Sequence, residues 1–384
     1  MFMGQIVDGK ALTLTDMYDA RFNKMAQVIV NFSLEVKPGQ WVYVWSAAPA
    51  APLMLEVYKE ILKAGGNAFL RADLPGAEEI LMQHGSAEQL AMVNPIDVTS
   101  VEEGKFDAYV RIGAETNTRR QTSADPAKVQ IKQRGMGPIL DRRLKRASEG
   151  TYNWLVTQFP TEAYAMDAEM NLQEYTEFVF SACLVNDADP VARWCEYRDR
   201  QAKYVSFLKD KREITLRGSN FDLKMRIDGR TFMNSHGRRN FPDGEIYTGP
   251  VEESVEGWIR YTYPAIHQGR EVSGIELRFE QGKVVKATAQ KNEEYLNKVL
   301  DTDPGARYLG EFAIGTNYGI TRFSRNILFD EKIGGTVHLA VGRAYEDTGA
   351  KNKSAVHWDM IAGAQDAEIA ADGEVFYRNG QFTL

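Results

Sequence analysis

Residues 41–71 read WVYVWSAAPAAPLMLEVYKEILKAGGNAFLR. The opening WVYVW is β-branched or aromatic throughout, which marks a strand. Beyond Pro49 and Pro52 the apolar residues recur at helical spacing, and Gly65 and Gly66 supply the stop. AFLR, at 68–71, reads as the next strand. The pattern then repeats. Residues 74–94 look helical with a break at His84 and Gly85, FDAYVRI at 106–112 is a strand, 138–149 is a polar helix, and YNWLVTQF at 152–159 is another strand. Upstream, the apolar run QVIVNFS (27–33) leads into the turn signal VKPGQ. Alternation of strand and helix with short connections implies a largely parallel sheet flanked by helices.

The character changes further on. Residues 167–210 are helical and charged, a bridge between domains. After residue 212, ITLRGSNFDLKMRIDGRTF alternates with period two around Gly218, Ser219 and Asn220, as a hairpin does. VEGWIRYTYPAI, GIELRFEQGKVVKATAQ, GTVHLAVG and EVFYRNGQFTL add further strands. The fold class is α/β. An N-terminal α/β domain with a largely parallel sheet spans 1–211, and a mixed, β-rich C-terminal domain, in which every candidate site residue given below falls, spans 212–384.

Composition narrows the function. The chain has 384 residues and a net charge of -7, without the basic stripe of a general nucleic-acid binder. The cluster of Arg142, Arg143, Lys145 and Arg146 reads as a solvated helix face. Two cysteines, Cys183 and Cys195, make no disulfide framework and read as buried or inert. MFMGQIVDGK at the N-terminus has no cationic region followed by an apolar one, and no stretch is long enough to span a bilayer. The expectation is a cytoplasmic protein without membrane contact.

HExxH, GxSxG, GxGxxG, a complete phosphate loop and CxxC are all absent. What remains is a cluster of ligand-type residues in the second half. His357 and Asp359 are two apart in SAVHWDM, so a strand puts both on one face. His338 lies in the alternation TVHLAV and shares a face with Thr336 and Ala340. Glu311 heads an apolar strand in LGEFAIGTN, and Glu245 sits in the turn-rich PDGEIYTGP. Tyr345 follows in HLAVGRAY, and Glu331 is a further carboxylate that reads as a ligand or general base. Each residue alone has an ordinary explanation, as a hydrogen-bonded core histidine or an exposed glutamate. Together, two imidazoles, at least three carboxylates and a phenol match what a pair of divalent cations needs, with one carboxylate bridging. Lys332, Arg343, Lys351 and Lys353 flank these segments, and the sequence does not select which of them serves the site. His84, His236 and His267 lack acidic company and read as structural or surface residues.

From residue 240 onward, NFPDGEIYTGP, VEGWIRY, LGEFAIGTNYGI, ILFDEKIGGTVHLAVGRAY and NKSAVHWDM resemble the aminopeptidase T, aminopeptidase S and PepS family of metallo-aminopeptidases, and AQVIVNFSLEVKPGQ looks like its N-terminal domain. The resemblance runs almost end to end. It implies an exopeptidase that releases N-terminal residues from peptides with two divalent metal ions. It also implies a homodimer and metal ligands at Glu245, Glu311, His338, Tyr345, His357 and Asp359. Glu311, as the bridge, and Tyr345 are the expected catalytic residues. Mixed imidazole and oxygen donors suit zinc, cobalt or manganese. Two other readings stand beside this one: a non-catalytic metal-binding dimer, and an α/β small-molecule-binding protein.

Overall fold

The computed structural model describes residues 6–7, 10–11 and 19–384. Most of the N-terminal decapeptide read above for a leader lies outside them. Two compact units make up the chain: Met1–Trp194 with Gly237–Phe241, and Cys195–His236 with Pro242–Leu384.

The first unit is built on a five-stranded, wholly parallel sheet. Its order is Asn240–Phe241, Asn153–Gln158, Ala108–Gly113, Trp41–Ala47, Asn67–Asp73. The WVYVW strand is therefore an interior one, paired on both sides, which explains a run with almost no polar residue. Tyr43 and Tyr109 are register partners whose rings meet edge to face at 5.5 Å, and Phe106 packs on Tyr43. The apolar run at 27–33 is helical. The helix Arg21–Val28 continues as a π-helical turn, Ile29–Ser33, that buries Ile29, Val30 and Phe32. A short apolar run carries no periodicity that separates strand from buried helix.

The polar helix of residues 138–149 begins much earlier, at Pro126, and runs to Ser148 (Pro126–Ser148), with Asp125 as its N-cap. Its basic cluster is not wholly solvated. Arg146 is buried and donates to the carbonyls of Ser100, Phe106 and Thr151, while Arg143 lies 4.2 Å over the Tyr109 ring. A guanidinium has five donors, enough to satisfy several loop carbonyls at once. No helix among the described residues is long and apolar enough to cross a membrane.

The second unit packs two antiparallel sheets. One has eight strands, in the order Lys283–Thr288, Glu276–Glu280, Glu256–Arg260, Phe221–Arg226, Glu213–Gly218, Glu368–Ala371, Glu374–Arg378, Gln381–Phe382. The other has five: His357–Gly363, Thr336–Gly342, Leu309–Gly315, Glu245–Thr248, Met233–Ser235. The predicted hairpin at 214–232 is present, with Gly218 opposite Phe221. Alternate residues fill the space between the sheets. Ile246, Phe312, Ile314, Val337, Leu339, Trp358 and Met360 from the smaller sheet join Leu216, Phe221, Leu223, Leu277 and Phe279 from the larger in one core. Truncating a buried residue such as Phe312 to alanine costs about 3–5 kcal/mol. Because that face of the five-stranded sheet is committed to the core, the other face holds Glu245, Glu311, His338, His357 and Asp359.

Candidate active site

Register places these side chains. Glu311 lies beside Ala340, and Ala340 beside Asp359, while one step along the strands Ala313, His338 and Ile361 form the next row. Glu245 pairs with Gly315 on the neighbouring strand. The small residues Ala313, Gly315 and Ala340 leave a hollow in the sheet, and the longer acidic and imidazole side chains lean into it. A bulge at Gly310 sets the direction of Glu311. Leu309 and Phe312 both face the core, so an extra residue between them turns Glu311 outward.

The functional atoms converge. His338 Nε2 is 3.2 Å from Glu245 Oε2 and 3.7 Å from Glu311 Oε1. His357 Nε2 is 3.4 Å from Glu311 Oε2 and 3.4 Å from Asp359 Oδ2. Three groups have donor atoms within 4.8 Å of one another: Glu245, Glu311 and His338; Glu311, His357 and Asp359; and Glu331, His338 and Asp359. Glu311 thus turns one carboxylate oxygen to each histidine and belongs to two groups.

Electrostatics follow from burial. His338 is 1% exposed, and Glu245 and Glu311 are 5% and 4% exposed. Desolvation alone would lower the His357 pKa, but Asp359 and Glu311 outweigh it and push the imidazole up to about 11. His338 is raised well above its ordinary value against desolvation, by Glu245 and Glu311. Burial pushes the carboxyls of Glu245 and Asp359 up, yet the cations around them win and hold both below the usual range. Burial pushes Glu331 up to about 8, against the pull of Lys332. Two buried polar atoms beside the hollow, His338 Nδ1 and Asp359 Oδ1, have no hydrogen-bond partner, and Glu245 Oε2 meets only His338 Nε2, at 3.2 Å. A buried carboxylate oxygen left bare costs about 1–3 kcal/mol or more. An orphaned Asp359 oxygen in a nest of carboxylates and imidazoles fits divalent cations of the oxygen- and nitrogen-binding kind.

Five of the six expected ligands come together in this way. Tyr345 stands at the rim, 46% exposed, with its ring 5.1 Å from that of His357. Its hydroxyl is 3.5 Å from His357 Nε2, too long for a firm hydrogen bond. Of the four flanking cations, the structure selects Lys332, which is fully buried, hydrogen-bonded to Glu331 and 3.8 Å from Glu245 Oε1. Arg343, Lys351 and Lys353 are exposed. Two neighbours carried no sequence signal. Tyr247, on the same face as Glu245, packs its ring 5.5 Å from Tyr345. Gln201, on a charged helix, reaches the backbone of Glu245.

Donors of this kind on one sheet face suit a metal-dependent enzyme, and comparison with known proteins gives the family. The family model described as thermophilic metalloprotease (M29) matches residues 18–382, and the chain belongs to that family. It is similar to aminopeptidase 2 of Geobacillus stearothermophilus, 27% identical over 411 residues, covering 96% of this chain and 98% of that one. Aminopeptidase T of Thermus aquaticus is 26% identical over 398 residues, covering 92% and 95%. Among solved structures, wild-type AmpT from Thermus thermophilus superposes with a TM-score of 0.82 at 23% identity, covering 95% of this chain and 99% of that one. That likeness confirms the expected α/β fold with its β-rich C-terminal part.

Proposed function

We propose that the hollow holds two divalent cations (zinc, cobalt or manganese) and that the enzyme, a metallo-aminopeptidase of its family, uses them to release N-terminal residues from peptides. The observation that carries the two-cation reading is Glu311, whose two carboxylate oxygens address His338 and His357 separately. Charge is compatible with it: Glu245, Glu311 and Asp359 outnumber the one buried lysine, so with neutral imidazoles the metal-free hollow is negative and draws cations.

On this reading Glu245, Glu311 and His338 would hold one ion, and Glu311, His357 and Asp359 the other. Tyr345 is the sixth expected ligand, but its exposure suits a phenol that meets substrate. When bound, the ions supply Lewis acidity to the scissile carbonyl and acidify water. Glu331 accepts the proton of the attacking water and returns it to the leaving amine, a role that suits a carboxylate grouped with His338 and Asp359 in the hollow. Lys332, locked between Glu245 and Glu331, keeps that carboxylate oriented. Tyr345 donates its hydroxyl hydrogen to the carbonyl oxygen as charge develops there. The substrate amine, unblocked, finds carboxylate charge in the same hollow, which selects peptides with a free N-terminus. The family resemblance adds a homodimer, and the expectation of a cytoplasmic location stands with it.

The test uses chelated enzyme with each metal restored in turn, assayed on amino-acid arylamides and on short peptides with free or acetylated N-termini. Metal-restored cleavage of the free peptides alone is the expected result. Cleavage of the acetylated peptides at equal rate overturns the exopeptidase reading.

A further inference from the structure

Behind the hollow lies a buried polar relay that carries none of the chemistry described so far. It starts on the helix Pro190–Leu208 with Tyr197 and Gln201, which are 2% and 0% exposed. The two hydrogens of the Gln201 amide nitrogen meet three acceptors, Asn234 Oδ1 at 2.6 Å, the Ser235 carbonyl at 2.8 Å and, in a longer shared contact, the Glu245 carbonyl at 3.3 Å. Its amide oxygen accepts from the Thr316 hydroxyl. Thr316 spends its only proton there, so the Tyr197 hydroxyl donates to Thr316 Oγ1, at 2.6 Å. With three acceptors on one side and a hydroxyl donor on the other, the orientation of the amide is fixed by its partners. Thr316 closes the ring from the far side, where its backbone N–H donates to the Gly244 carbonyl at 2.9 Å.

These bonds tie three short pieces of chain at one point. Ser235 and Glu245 are register partners, and Gln201 holds the carbonyls of both. Thr316 directly follows the strand Leu309–Gly315, whose Gly315 is the partner of Glu245 on its other side. Glu245 is the first residue of a four-residue strand, where ladder bonds alone define its position weakly. Its carboxylate must nevertheless meet His338 across an intervening strand.

We propose that Gln201, with Thr316 and Tyr197, is a positioning group for Glu245, fixing the backbone from which that carboxylate reaches one of the two cations. This rests on Glu245 being a metal ligand, as argued above. Outer partners of metal ligands are worth roughly 10–100-fold in affinity. An apolar core glutamine substitute would keep the fold's packing yet leave the two strand carbonyls free to drift.

The experiment is calorimetric titration of chelated enzyme with zinc, comparing wild type, Glu245→Gln, Gln201→Leu, Thr316→Val and Thr316→Ser. The expected result is that Gln201→Leu and Thr316→Val weaken one of the two sites by about 10–100-fold, leave the other within a few-fold, and that Thr316→Ser, which keeps the hydroxyl, binds like wild type. If Glu245→Gln loses a site while Gln201→Leu and Thr316→Val bind both ions like wild type, the relay is merely structural and the inference falls. If Glu245→Gln itself binds like wild type, it is the ligand assignment that fails. Should Gln201→Leu not fold, the Thr316 pair decides alone.

Discussion

His357 donates its Nδ1 hydrogen to the carbonyl oxygen of Arg343 at 2.8 Å. A carbonyl only accepts, so the tautomer is fixed and Nε2 faces Glu311 and Asp359. That arrangement orients a metal-ligating imidazole and raises its basicity. On the proposed reading, the proton that Asp359 and Glu311 hold on His357 in the metal-free hollow gives way to a cation on loading.

Metal binding should therefore release protons. His338 and His357 are both raised above neutrality by the carboxylates they face, and only the neutral ring ligates. Titrating chelated enzyme with zinc near pH 8 in weak buffer should liberate about two protons per chain from the imidazoles and a further fraction from Glu331, which is pushed up to about 8, read with an indicator dye. Release of none would mean that the imidazoles are already neutral and the ion pairs of the hollow are not formed.

The same shifts set how the metal-free enzyme responds to pH. A histidine raised in the folded state contributes stability that is whole below 6.5 and is lost as pH rises through its folded value, about 11 for His357. Glu245 and Asp359, held low, contribute stability present above about 4 and lost on acidification through their folded values. Glu331, raised to about 8 by burial, also loses stability as pH rises from its unfolded value, so chelated enzyme should be most resistant to thermal unfolding at roughly pH 4–5 and less so on both sides. His357→Gln should flatten the alkaline limb. An unchanged limb contradicts the assignment.

Tyr345 separates a ligand from a substrate contact. As a hydrogen-bond donor to the developing oxyanion, its replacement by phenylalanine should lower kcat by on the order of 100-fold or more. Metal affinity should stay within a few-fold of wild type. Loss of a bound ion in Tyr345→Phe would make the phenol a ligand instead.

Gly244 precedes Glu245 at φ +138°, a backbone conformation open mainly to glycine. An added Cβ would also press on Tyr197 Oη and lie 2.7 Å from Asn317 Cβ. Gly244→Ala should cost about 1–3 kcal/mol of strain and weaken the ion held by Glu245. Thermal melting and zinc titration of the variant check both parts. Wild-type values for both would show that the turn tolerates a side chain.

Much of this was legible in the sequence because strand periodicity is simple. His357 and Asp359 share a face on account of their spacing alone, and His338 shares its face with Thr336 and Ala340 as the alternation requires. Glu311 was harder, since a bulge at Gly310 decides its direction and bulges leave no pattern in a single chain. Lys332 could not be told from Arg343, Lys351 and Lys353, because burial of one lysine depends on the segment that folds over the sheet. The helical state of residues 27–33 was hidden for a similar reason, an apolar run too short to show a period. Gln201 was invisible: a glutamine on a charged helix looks solvated until tertiary packing turns it inward.

Counting bound metal tests the central claim most directly. Chelated enzyme is reloaded, desalted and weighed intact by native mass spectrometry, wild type beside Glu311→Gln. Two divalent ions per wild-type chain, with a Glu311→Gln chain unable to retain both, is the result expected of a carboxylate that serves two histidines. One ion per wild-type chain, or a Glu311→Gln chain that keeps two, contradicts a shared dinuclear centre.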